Sequence, residues 1–483
     1  LAAVISRQEV IELAAEFGLE PNVVEKDYAL GWLLAGFGQH EATRDTWIFK
    51  GGTCLKKCFF ETYRFSEDLD FTLTNSEHLS ETFLSGLFQE IADWVYDQCG
   101  LVFPSEARKV ETYTNNRGGR SAEGRIGYRG PLARGGDAPR IKLDLTDDER
   151  LVLEPDTRQV HHPYSDRPQD GISVKTYAFE EVFAEKIRAL AERLRPRDVY
   201  DVVHLHRHQE LTPDRTIVRE TLDAKCSFKG IAIPTFQSLA TSPLLAALRV
   251  DWFQMLGHQL PQTPPFEDFW AELPRVFGWL ETGTVPAALR AIEVPSAGAL
   301  DSAWVAPAMG VSWRSFGTRA PLEVLRFAAA NRLCVELDYR DESGRRSTRL
   351  IEPYALKRSR AGDILLHAIR VDSGQARSYR IDRVQDLSAT TRPFTPRFAV
   401  EIAQGVQPPS EPPLPRLTRN FGSRGGSLGR RVTMGREPTH LYRCTVCNRT
   451  FRRKHYDATL RPHNSLSGRP CSGRVGIFVR TTY

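Results

Sequence analysis

Between residues 64 and 73 the chain reads Arg-Phe-Ser-Glu-Asp-Leu-Asp-Phe-Thr-Leu, and its second half alternates strictly. Successive side chains of a strand point to opposite faces, so Leu69, Phe71 and Leu73 share one face and Asp68 and Asp70 the other. Such a segment belongs in a sheet with one face against a core. Its other face carries two carboxylates two residues apart, which repel unless a cation stands between them. A second strand of the same kind follows, Arg140-Ile141-Lys142-Leu143-Asp144-Leu145, with Lys142 and Asp144 on its polar face. Placed beside the first, it would offer Asp144 as a third oxygen ligand. Hard divalent ions such as Mg²⁺ (or Mn²⁺) take such ligands together with substrate phosphates.

Ahead of these strands, Trp47 to Lys50 reads as a strand running into the Gly51-Gly52 turn, and Thr53 to Phe60 as a helix. Glycines let the backbone approach a phosphate, and a helix N-terminus offers unpaired N–H groups. Downstream, Glu181 to Leu194 predicts an amphipathic helix. Lys186 falls about 40° from Val182, inside an apolar stripe of Val182, Phe183, Ile187, Leu190 and Leu194. A lysine there either snorkels to water or meets an anion. Glu185 and Arg188 point elsewhere. Pro196 stops that helix and starts another, in which Asp198, Asp201, Val202 and Leu205 lie within about 100° of arc. The helix dipole accounts for a first-turn acid at Asp198 better than for Asp201. His204, His206 and His208 share no helix face and read as surface residues.

These pieces occur in order: Lys50-Gly51-Gly52-Thr53-x-Leu55-x-Lys57, Arg64-x-Ser66-x-Asp68-Leu69-Asp70, Glu185-Lys186-x-x-Ala189-Leu190 and Arg197-Asp198-x-x-Asp201. The set resembles the AbiEii/AbiGii family of nucleotidyltransferase-like toxins, which includes the MenT toxins. The resemblance implies an α/β (α+β) nucleotidyltransferase fold of the polymerase-β-like class over about residues 1–292. It implies transfer of a nucleotide from an NTP, with a divalent metal, to an RNA acceptor, tRNA in characterised members. Gly51, Gly52 and Thr53 would approach the triphosphate, and Arg64 and Ser66 would hold phosphate oxygens. Asp68 and Asp70 would hold Mg²⁺, Lys186 would balance phosphate charge, and Asp198 or Asp201 would complete the site. Asp144 falls in none of these motifs, and its candidacy as a ligand rests on strand alternation alone. A cognate antitoxin and a role in phage defence are implied in the same way.

After a connector at 293–318, a short helix from Pro321 to Asn331 precedes several strand-like segments with Glu342-Ser343-Gly344 and Asp372-Ser373-Gly374 turns. This pattern predicts a small antiparallel barrel or sandwich over 319–396. Glu336-x-x-Tyr339, Glu352-Pro353-Tyr354-x-Leu356 and Tyr379-Arg380-x-x-Arg383-Val384 resemble a WYL domain, which implies an Sm-like or SH3-like barrel. Arg380 and Arg383 would be its nucleic-acid or ligand-binding residues. Ile364-Leu365-Leu366 replaces the namesake tripeptide.

A Pro- and Gly-rich linker at 397–435 leads to a last segment, 436–483, too short to fold without a staple. It contains Cys444-x-x-Cys447, then His463, then Cys471, a complete tetrahedral Zn²⁺ shell. His455 is a rival fourth ligand. Phe451-Arg452-Arg453-Lys454-His455 reads as a basic stripe suited to nucleic acid. Charge supports this division: residues 411–483 hold 15 Lys and Arg against 3 Asp and Glu, leaving 50 against 57 in the first 410. Five of the eight cysteines are scattered, which predicts a reducing, cytoplasmic setting. No apolar run of membrane-spanning length occurs, and the N-terminal stretch is not a secretory signal. The alternative to an enzyme is a nucleic-acid-binding regulator with a degenerate nucleotidyltransferase fold.

Overall fold

The structure is a computed structural model. It describes residues 4–60, 64–114, 118–133, 135–207, 213–284, 287–295, 298–302, 304, 322–403, 439–444, 446, 450–453, 460, 462–464, 470–472 and 476–482. The chain divides into two compact units, Leu1–Phe421 and Gly422–Tyr483.

The first unit begins with α1 (Arg7–Phe17) and α2 (Pro21–Gln39), followed by β1 (Trp47–Lys50), α3 (Gly51–Cys54) and a π-turn at Leu55–Phe59. Then come β2 (Asp68–Leu73), α4 (Glu81–Cys99), β3 (Arg108–Thr114), β4 (Arg120–Gly127), β5 (Arg140–Thr146), β6 (Asp156–Gln159) and β7 (Ser173–Thr176). A helical half follows: α5 (Phe179–Glu192), α6 (Pro196–Arg207), α7 (Arg215–Lys229), α8 (Phe236–Ala240), α9 (Leu245–Leu256), α10 (Phe266–Trp270) and α11 (Leu273–Thr282).

The strands form one mixed sheet in the order β3-β4-β5-β2-β1-β7-β6. The pairs β2–β5 and β1–β7 are parallel. Asp70 stands opposite Lys50 of β1 on one side and Asp144 of β5 on the other. The alternation expected for β2 and β5 holds. Leu69, Phe71, Leu143 and Leu145 are buried. Phe71 packs against Phe37 of α2 and Phe49 of β1, with ring centroids 5.4 and 5.2 Å apart. Gly124 of β4 leaves room for Phe88 of α4, which a Cβ would approach to 3.1 Å. The apolar face thus rests on α2 and α4, and the polar face looks the other way.

His204 and His206 correct the sequence reading, because both are buried, at 1% and 8% exposure. The His204 ring meets Phe60 edge-on at 5.4 Å, and that of His206 meets Trp279 edge-on at 5.9 Å. A helix in the middle of a bundle has no solvent face, so the lack of a common stripe among the histidines said nothing about exposure. His208 lies outside the described residues.

Past the connector come α12 (Leu322–Ala330), β8 (Leu333–Arg340), β9 (Arg346–Arg358), β10 (Ile364–Arg370), β11 (Ala376–Arg380) and β12 (Val384–Pro393). They form an antiparallel sheet in the order β11-β10-β9-β8-β12, with α12 packed against it. The barrel expected here is an open sheet instead: among the described residues no ladder joins β11 to β12. Ile364, Leu365 and Leu366 are buried in β10 and serve its packing.

The second unit has a three-stranded sheet of β13 (Thr439–Cys444), β14 (Thr450–Arg453) and β17 (Gly476–Thr482), ordered β14-β13-β17. A two-stranded ladder of β15 (His463–Asn464) and β16 (Pro470–Cys471) sets His463 opposite Cys471.

Candidate functional site

The polar face of β2 is approached by the turn that ends β1. Gly51 takes φ +80°, the left-handed region. A Cβ there would lie 2.1 Å from Asp70 Oδ2, and one on Gly52 would lie 2.6 Å from Arg64 Nη2 and 3.1 Å from Ser66 Oγ. The glycine pair is therefore what lets the turn lie directly against Asp70 and the Arg64–Ser66 segment. The Thr53 hydroxyl donates to the Asp68 carbonyl, which ties the start of α3 to β2.

Burial pushes the Asp70 carboxyl up to about 6; Asp144 adds to the rise, while Lys50 and Lys186 oppose it. Asp68 is also raised, first by burial, with Asp144 adding and Lys26 and Arg197 opposing. Three acids on adjacent parallel strands thus make a pocket of negative charge that the fold does not fully neutralise. The Lys142 ammonium lies 2.8 Å from both carboxylate oxygens of Asp144. On the other side, Lys50 lies 3.3 Å from Glu185 and 3.9 Å from Glu149. Burial works against its charge, but Glu185, Glu149 and Asp70 hold the ammonium above the ordinary lysine range.

Helices α5 and α6 bring the remaining charges. Lys186 is 7% exposed and bonds Asp201 at 2.9 Å, so it meets an anion and does not snorkel. Asp201 also accepts two bonds from Arg64, at 2.8 and 2.9 Å. Arg64 donates a third to Gln259 at 2.9 Å. Burial opposes the Asp201 charge, yet Arg64 and Lys186 hold its carboxyl well below the usual range. Arg64 therefore faces Asp201 in this structure. Asp198, equally buried, takes both its bonds from Arg193, at 2.8 and 2.7 Å. Of the two acids of α6, Asp201 is the one joined to Lys186.

Three residues were not assigned roles from sequence. Lys50 follows three apolar residues in its strand, and that break in pattern was the available signal. Glu185 reaches Lys50 and also Lys225 of α7, at 3.5 Å. Gln259 comes from a loop 195 positions past Arg64, and no local signal marks it.

In the open sheet, Arg380 pairs with Asp363 and Asp382, each at 2.8 Å, and Arg383 with Glu342 at 3.0 Å. Arg349 stands over the rings of Tyr339 and Tyr379 at 5.6 and 5.8 Å.

In the second unit, ligand atoms of Cys444, His463 and Cys471 all lie within 4.8 Å of one another. The two sulfurs are 3.8 Å apart, and the Val446 amide donates to Cys444 Sγ at 3.4 Å. Two thiols and an imidazole are a soft donor set that suits zinc. Cys447 and Lys454 lie outside the described residues, as does His455; Arg452 and Arg453 lie on β14. Among the described residues, Asp68, Asp70 and Asp144 are not brought to that 4.8 Å spacing.

A glycine turn laid against paired strand carboxylates, with the buried Lys50 and Lys186 near them, suits a nucleotidyltransferase-type domain. The family models agree. The family model described as nucleotidyl transferase AbiEii toxin, type IV toxin–antitoxin system, matches residues 32–272, and that of the WYL domain matches residues 321–389. The chain thus carries an AbiEii nucleotidyltransferase toxin domain followed by a WYL domain. No curated protein matches it. Among solved structures it is similar to proteasome accessory factor B/C (PafBC) of Arthrobacter aurescens. That match has 12% identity, 83% coverage of this chain, 74% of the other and a TM-score of 0.15.

Proposed function

We propose that the first domain, residues 1–292, transfers a nucleotide from an NTP to an RNA acceptor, with tRNA the favoured class. It would act as the toxin of a type IV toxin–antitoxin or phage-defence system in the cytoplasm. The observation that carries this reading is the in-register placement of Asp70 beside Asp144, under a turn whose left-handed position is held by Gly51. Among the described residues no helix is long and apolar enough to cross a membrane, in keeping with a reading that needs none.

The donor set of Asp68, Asp70 and Asp144 fits a hard divalent ion, because three oxygen acids, two of them with carboxyls raised by burial, gain from a cation. When bound, Mg²⁺ or Mn²⁺ would polarise the α-phosphate and draw charge from the leaving pyrophosphate. The chain's own residues do the rest. Backbone donors of Gly51 and Gly52, with Thr53 and Ser66, orient the triphosphate. Lys186 offsets its charge from the position Asp201 sets, and Arg64 braces Asp201 from behind. Asp198 keeps Arg193 at the head of α6.

Behind this domain, 319–396 would act as a WYL-type sensor, with Arg380 and Arg383 offered to nucleic acid or a small ligand. Beyond the 397–435 linker, 436–483 would hold Zn²⁺ through Cys444, Cys447, His463 and Cys471, and would capture RNA through Arg452, Arg453 and Lys454.

The test is incorporation of each labelled NTP into bulk tRNA and total RNA with Mg²⁺, wild type against Asp68→Ala. Transfer should fall by at least about 100-fold in the variant. Wild-type transfer by Asp68→Ala would overturn the assignment. RNA binding without any incorporation by the wild type would favour a regulator with a degenerate fold.

A further inference from the structure

Helix α6 carries Asp201, and the residue before it, Tyr200, points into the WYL domain. The Tyr200 hydroxyl donates to Asn331 Oδ1 at 2.9 Å. Tyr200 is fully buried and Asn331 is 2% exposed, so water does not compete for this bond. Asn331 is the first residue after α12. Its side-chain amide donates to the Phe327 carbonyl at 3.0 Å, and this second bond settles which end of the amide faces Tyr200. Burial pushes the Tyr200 hydroxyl up, so it stays a donor.

The surroundings make this contact rigid. The Tyr200 ring stacks on Phe269 of α10 with centroids 5.1 Å apart and planes 11° apart. Arg332, next to Asn331, takes φ +57°, which fixes the exit of α12 into β8. Its carbonyl accepts from the Phe394 amide at 2.8 Å, which ties the same corner to the end of the WYL sheet. At the base of α6, Arg207 grips Glu272 with two bonds, at 3.0 and 2.6 Å. A buried hydroxyl and a buried amide that satisfy each other across two domains specify one relative placement of their helices.

We propose that Asn331, contributed by the WYL domain, is a positioning residue for nucleotide transfer. It holds α6 through Tyr200, so that Asp201, braced by Arg64, presents Lys186 to the phosphate-binding turn. The proposal rests on the nucleotidyltransferase reading for its kinetic consequence, but the clamp itself can be judged without activity. Neither residue touches substrate. The WYL domain is by this account a part of the catalytic frame, and whatever displaces α12 also displaces Asp201.

The test uses the full chain with Asn331→Leu, Tyr200→Phe and the double variant, each checked for a native circular dichroism spectrum. Amide hydrogen exchange over α6 should speed by about tenfold or more in Asn331→Leu, with α4 as the unchanged internal reference. In the same variant, kcat per folded molecule should fall by about tenfold or more, with KM for the NTP moving less than about twofold. The double variant should be less impaired than the product of the single ones, because Tyr200→Phe removes the hydroxyl that Asn331→Leu strands. Unchanged exchange in α6 overturns the clamp. Faster exchange with an unchanged kcat overturns the positioning role, since a merely structural contact gives that pattern. Should Asn331→Leu not fold, Tyr200→Phe is read by the same two measurements. Should the wild type transfer nothing, the functional reading fails, and exchange alone decides the clamp.

Discussion

Lys186 stands on an apolar helix stripe because its ammonium has a buried carboxylate to meet. Asp201 keeps two bonds from Arg64 when Lys186 is removed, so the acid is not left uncompensated. Lys186→Met should therefore cost stability no more than about 1 kcal/mol, and it retains the packing of the stem. Its transfer rate should fall by about two orders of magnitude, since a positive charge aimed at the phosphates is lost. Urea unfolding and the labelled-NTP assay check the two halves separately. A large loss of stability with normal transfer per folded molecule would make Lys186 a fold residue only. The oddity of Lys186 was legible from 3.6-residue periodicity, because a cation in an apolar stripe is costly wherever it occurs. Its partner was not: Asp198 and Asp201 fitted the motif equally well. The choice fell to Arg193, which takes Asp198, and to Arg64, which reaches Asp201 from 137 positions away.

At the scale of elements, β2 and β5 were legible as strands with one acidic face, and α5 and α6 as amphipathic helices. Their adjacency was not, because alternation states which face a side chain takes but not which strand lies beside it. The burial of α6 on every side has a consequence for pH. Burial pushes the His206 imidazole down to about 4, with Glu272 opposing and Arg207 and Arg332 adding to the fall. The folded chain thus resists protonation that the unfolded chain accepts near its ordinary value of 6.5. Between those limits the unfolded state holds more protons, so stability falls as pH drops from about 6.5 to about 4. His206→Phe keeps a ring against Trp279 and removes that protonation. Its unfolding free energy relative to wild type should be flat above about pH 6.5 and rise in its favour by up to about 3 kcal/mol towards pH 4. Denaturant titrations at several pH values check this, and a difference that does not change with pH would contradict it.

At the scale of the molecule, the second unit is small enough that metal binding must supply much of its folding energy. Elemental analysis of the full chain should return one zinc, and Cys444→Ser should lose it. A chelator should unfold the tail while leaving the first unit intact by limited proteolysis. RNA affinity should weaken steeply with salt, by about tenfold or more between low and physiological ionic strength, and drop when 422–483 is deleted. A truncated chain that binds RNA as tightly as the whole one would end the capture role, whatever the metal analysis shows.

What the sequence determined by itself is local. Two-residue alternation placed the carboxylates of β2 and β5 on faces, helical periodicity exposed Lys186 as anomalous, and the spacing of Cys444, Cys447, His463 and Cys471 announced a ligand set. These are properties of backbone geometry, which repeats over a few residues and is written in order along the chain. The tertiary structure alone decided the rest: that Asp144 stands beside Asp70, that Arg64 faces Asp201, that the WYL sheet stays open, and that Asn331 holds Tyr200. Each depends on which distant segments share a core. Burial of apolar surface selects that arrangement without direction, so no short stretch of chain records it.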